Sequence, residues 1–175
     1  MSNPHSKPTL FFHWLTGLGF IGVLGLGLYL EQMERSPAKG ELMGIHKSLG
    51  VIILLIAVLR VAWRLKEGPI ESSAVLTRAQ EILAKSIHGI LMLATLLMPI
   101  SGIAMSVGGG RALEVFGVEI LAAGEKIEWL QSLGGAVHGF APKIIIAALV
   151  LHIAAALKHQ WVDKDGTLSR MLGRK

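Results

Sequence analysis

From Thr9 to Leu30 the chain runs through 22 positions without a charged residue. About 20 apolar residues in a helix cross the hydrocarbon core of a bilayer, so this one stretch already points to a membrane span. Three more stretches of the same kind follow. The predicted spans cover about 9–30, 44–65, 84–108 and 133–158. Arg60 and Arg64 fall in the final turns of the second span, Pro99 lies in the third, and Pro142 and Lys143 interrupt the fourth. Only helices and closed barrels satisfy their backbone polar groups in lipid, and a proline is tolerable within a membrane helix. The expected architecture is therefore an all-α membrane protein. It forms one domain over residues 1–175, an up-and-down bundle of four transmembrane helices. Composition agrees: 52% of the residues are hydrophobic and 17% charged, against about 25% charged in a soluble domain.

The first stretch exceeds a typical signal-peptide core and has no small-residue cleavage site after it, so it is read as a retained span. Trp14, Trp63, Trp129 and Trp161 fall near span ends, where interfacial aromatics belong. The N-terminal tail, the segment 60–85 and the C-terminal tail carry 11 Lys/Arg against 5 Asp/Glu; the other side carries 6 against 7. The positive-inside rule then puts both termini in the cytoplasm. A net charge of +5 without a basic, aromatic-interleaved arm gives no reason to expect nucleic acid. The third connection, 111–132, is acidic, and its stretch 125–130 is expected to form a short surface helix on the outer side.

Cysteine is absent, which removes disulfides, thiolate-held iron–sulfur clusters, covalent c-type haem and a cysteine nucleophile. The histidines carry the chemistry instead, since a buried polar side chain in a membrane bundle is costly. His46 and His138 open helices that start on the outer side; His13 and His88 open helices that start on the inner side. His152 lies 14 residues after His138, roughly 21 Å along the helix and about 40° away in azimuth. The same step leads from His46 to Arg60, from His13 to Gly27 and from His88 to Gly102. An inner level then holds His13, Arg60, His88 and His152, and an outer level holds Gly27, His46, Gly102 and His138.

Imidazoles facing each other across a bundle core suit b-type haem, with iron held by one nitrogen from each side. Glycines one turn from these residues (Gly17, Gly50 and Gly134) leave room for a flat macrocycle, or simply let helices pack closely. Arg60 and Arg64 suit haem propionates. A lone membrane histidine more simply bonds a neighbouring helix, but histidines matched at two depths are hard to explain that way. At the inner level His13, His88 and His152 compete for two iron positions, and spacing does not choose. His5 is read as solvated, and Lys47 and Lys143 as reaching the outer headgroups.

The ordered set resembles the bacterial cytochrome b561 family over nearly the whole chain. It consists of Phe12-His13-Trp14-Leu15, Ile45-His46 with Arg60 and Arg64, Ile87-His88 before Pro99 and Gly102, and His138 with His152. Ala154 to His159 and the tail from Trp161 to Leu172 complete it. The resemblance implies two b haems, with His13 and His152 ligating the inner iron and His46 and His138 the outer one. It also implies ubiquinone as an electron acceptor, and superoxide as a periplasmic donor in some members, in a bacterial inner membrane. The spare inner histidines, His88 and His159, are then the expected quinone-site residues, because histidine titrates near physiological pH. A second class of function is an electron-relay subunit that docks a dehydrogenase or small haem protein, with the acidic segment 114–128 as the docking surface. A metal transporter would need carboxylate or thiolate ligands within the spans, and there are none.

Overall fold

The computed structural model describes residues 5–68 and 76–174; the segment 69–75, counted above for orientation, lies outside the described residues. Four long helices dominate: α1 (Lys7–Gln32), α2 (Pro37–Glu67), α3 (Arg78–Gly108) and α4 (Glu128–Trp161). Each is long and apolar enough to cross a membrane. The first three extend beyond the apolar stretches because polar caps continue them. Ser6 and Ser36 accept from Thr9 N–H and Lys39 N–H, prolines stand in their first turns, and Thr77 and Gln80 form a reciprocal capping box. Large apolar side chains such as Phe11, Leu18, Leu55, Leu59 and Phe140 point outward, the arrangement lipid requires.

The packed centre consists of Phe20, Ile53, Ala94, Met98 and Ile145. Phe20, Ile53 and Ile145 each stand seven residues beyond His13, His46 and His138, so this apolar layer falls midway between the two histidine levels. Packing around it is uneven. α4 lies closely along α3, and α1 along α2, whereas the backbone of α4 stays largely apart from those of α1 and α2.

Two glycines explain the closeness of α3 and α4. A Cβ on Gly134 would lie 2.6 Å from Met105 N and 2.8 Å from Ser101 O, and one on Gly108 would lie 2.4 Å from Gln131 N. These are backbone atoms that cannot swing aside. Gly134 therefore serves helix packing, not macrocycle space, whereas Gly17 and Gly50 face open space. Gly134→Val is expected to lower stability by about 1–3 kcal/mol, read as an earlier thermal transition in detergent. Gly22→Ala, where nothing lies within 4 Å of the new Cβ, serves as the control and should hold or gain stability.

The connection from α3 to α4 differs from the expected surface helix. It is an antiparallel hairpin, β1 (Leu113–Val115) with β2 (Val118–Leu121), and residues 128–130 already belong to α4. The alternating β-branched residues Val115, Val118 and Ile120 favour strands. Phe116 (φ 48°) and Gly117 (φ 82°) are both left-handed, as a tight two-residue hairpin turn requires. Phe116 N–H donates to Ser48 Oγ at 2.9 Å, pinning the turn to α2. After α4 the chain ends in α5 (Thr167–Met171), whose Met171 carbonyl accepts from Trp14 Nε1 at 2.7 Å.

Candidate haem-binding centres

Four helices bring the histidines together in two groups. At one level the His46 and His138 rings lie 6.1 Å apart, centre to centre. At the other the His13 and His152 rings are 6.2 Å apart, and His88 approaches His152 to 5.2 Å. Arg60 is near enough for its charge to act on His13, His88 and His152. Arg64 turns to the helix end, where its guanidinium donates to the Gly68 carbonyl.

Glycines make room for the first pair. A Cβ on Gly27 would stand 3.0 Å from His46 Cε1, and one on Gly102 would stand 3.0 Å from His138 Cε1. The His138 ring is held by a specific bond, its Nδ1 donating to the Met98 carbonyl at 3.0 Å with Ser101 Oγ 3.1 Å away. A carbonyl can only accept, so Nδ1 carries the proton and Nε2 keeps its lone pair for a metal. Around this pair is a cavity of about 340 Å³, bordered by Gly27, Gly50, Gly102, Pro99 and Pro142 and reached by the buried Leu113 of the hairpin. Pro142 also deprives the His138 carbonyl of its helical donor.

These pairs fit a bis-imidazole metal centre. An imidazole nitrogen lies about 1 Å from its ring centre and about 2 Å from a metal it binds, so two rings flanking one metal stand roughly 6 Å apart. Both 6.1 Å and 6.2 Å match, whereas 5.2 Å is short. The paired residues also sit on α4 and α2, and on α4 and α1, the helix pairs whose backbones stay apart. A macrocycle needs that gap.

Two residues stand outside these ring groups. His159 is two turns beyond His152, with Nδ1 2.9 Å from a carboxylate oxygen of Asp163 and 2.9 Å from one of Asp165. Lys47 borders the 340 Å³ cavity and also a second one of about 500 Å³ between α2 and the hairpin, beside Glu114 and Phe116. Spacing gave no sign of the Asp163–Asp165 grouping, although a histidine followed at four and six residues by carboxylates was visible in the sequence. The hairpin's share in the cavity wall was not foreseen either; Gly117 beside β-branched residues was the available signal.

A family model described as prokaryotic cytochrome b561 matches residues 4–174. Cytochrome b561 homolog 2 of Escherichia coli is 31% identical over 172 residues, covering 93% of this chain and 88% of that protein. Cytochrome b562 of Cereibacter sphaeroides is 31% identical over 178 residues, with 96% and 94% covered. The probable superoxide oxidase CybB of Yersinia pestis is 28% identical over 178 residues, with 100% and 99% covered.

Proposed function

The chain belongs to the prokaryotic cytochrome b561 family, and from that membership we propose that it carries electrons from superoxide at the outer face to ubiquinone at the inner face. Members of the family bind b-type haem and transfer electrons across the membrane. In this reading the protein lies in a bacterial inner membrane with both termini cytoplasmic. His46 and His138 hold one haem near the periplasmic side, and His13 and His152 hold a second near the cytoplasmic side. The observation that carries the assignment is the pair of ring separations, 6.1 Å and 6.2 Å, each across helices that stand apart.

Bound haem supplies one-electron oxidation and reduction. The chain's own residues set the conditions for it. Met98 fixes the His138 tautomer, Gly27 and Gly102 admit the rings, and the Arg60 guanidinium supplies positive charge to propionates at the inner level. Lys47, on the wall shared by the two outer cavities, draws a small anion towards that level. Two superoxide ions release two electrons and leave as dioxygen, and one ubiquinone takes those electrons with two protons. His88, beside His152 and not itself an axial ligand in this scheme, holds and passes a proton at a ring nitrogen. His159, engaged with two aspartates, stands farther out on the cytoplasmic side.

Purified protein mixed with a superoxide source and a soluble ubiquinone analogue is expected to form quinol, with formation abolished by superoxide dismutase. No quinol would favour the relay reading, which has its own observation: the hairpin exposes Phe116, Val118 and Ile120 beside Glu114 and Glu119, a surface suited to a partner protein. For the quinone site, chemically pre-reduced His88→Ala protein that retains both haems should reduce quinone about a hundredfold more slowly. Unchanged rates in both His88→Ala and His159→Ala would move the quinone to the opposite face.

A further inference from the structure

Beyond the last turn of α4 the chain curls back on itself, because Lys164 (φ 54°) and Gly166 (φ 75°) both adopt the left-handed conformation. The curl sets two carboxylates against one imidazole nitrogen. His159 Nδ1 lies 2.9 Å from Asp163 Oδ2 and 2.9 Å from Asp165 Oδ2, and the three atoms lie within 4.8 Å of one another. Yet His159 Nδ1 and Asp165 Oδ2 are both shut off from solvent, and neither closes a hydrogen bond among the described residues. A single ring nitrogen has only one proton to offer, and two carboxylates face it.

That arrangement is what the ligands of one ion look like. Three ligand atoms bound in mutually perpendicular directions at about 2.1 Å stand about 3 Å apart. The other oxygen of each carboxylate is already held. Asp165 Oδ1 accepts from Thr167 N–H at 2.9 Å and from Thr167 Oγ1 at 2.6 Å, and Asp163 Oδ1 accepts from Lys158 Nζ at 2.9 Å. Outer partners of this kind orient ligands towards a metal. The side chains of His159, Asp163 and Asp165 are 20%, 32% and 15% exposed, so the group is sheltered.

We propose that His159, Asp163 and Asp165 bind one divalent transition-metal ion of the zinc or manganese class. One imidazole and two carboxylates form a donor set of intermediate softness, which favours these ions over calcium or copper(I). Lys158 also touches Asp163 Oδ2, at 2.7 Å, and keeps its contact with Oδ1 when the ion takes Oδ2. The ion fastens the loop to the end of α4. Gln160, bonded to Ser169, and Met171, bonded to Trp14, carry that fastening to the residue next to His13.

The test is a calorimetric titration of Zn²⁺ into chelator-stripped holoprotein in detergent, with the haem spectrum as the control for folding. One site per chain is expected, weakened at least about tenfold in His159→Gln and in Asp165→Asn while the haem spectrum stays unchanged. Should either variant lose its spectrum, Asp163→Asn, at the most exposed of the three positions, decides the matter in the same way. Mn²⁺ paramagnetic resonance checks that the zinc is not held by His5 or His88, since a signal lost only with these three residues supports the site. Equal affinity in wild type and variants, or no uptake by the wild type, overturns the proposal.

Discussion

His138→Ala is expected to lose the haem at the His46/His138 level and keep the other. The imidazole is one of two facing a 340 Å³ cavity, and its ring is fixed by the Met98 carbonyl with Nε2 left free. Alanine offers no donor, and no other imidazole among the described residues approaches His46. His46→Ala should do the same from the opposite side of the cavity. The two levels lie about 21 Å apart along α4, with the Phe20–Ile53–Ile145 layer between them, so the losses should be independent. The reduced spectrum should then fall to about half its absorbance per chain, with one redox transition remaining. Retention of both haems in His138→Ala, with the helical circular dichroism intact, would remove His138 from the ligand set.

At the other level, His13→Ala and His152→Ala are each expected to lose the second haem, while His88→Ala keeps it. His13 and His88 are at equal depth, so sequence spacing treats them alike. Ring separation distinguishes them: 6.2 Å from His152 leaves room for a metal between two ligating nitrogens, and 5.2 Å does not. Haem content and the electron paramagnetic signals of the oxidised protein read each variant directly. Loss of the inner haem in His88→Ala, with retention in His13→Ala, would exchange their roles and remove the basis for placing quinone at His88.

Much of this was legible because membrane helices impose a simple ruler. An uncharged run of 22 residues announces a span, and a step of 14 residues carries one side of a helix from level to level. That ruler paired His46 with His138 and brought Gly27 and Gly102 to their rings, and the same pairs meet in the folded chain. It says nothing of azimuth between helices, which is why His13 and His88 stayed equivalent and Gly134 stayed open between haem space and helix packing. The close contact of Gly134 with the α3 backbone depends on the crossing of two helices, a tertiary property. The hairpin was missed for another reason. An acidic stretch next to α4 has helical character of its own, and the turn at Phe116 and Gly117 outside it redirects the chain. His159 was read as a spare inner histidine, whereas its neighbours come from a loop bent by Lys164 and Gly166.

In this reading one chain holds two haems, each between two imidazoles and neither covalently attached. Haem per chain measures it most directly, with protein determined by amino-acid analysis and haem extracted into acid acetone. Two haems per chain are expected, all of them extractable, since the chain has no cysteine to retain any. One haem per chain, or none, would contradict it.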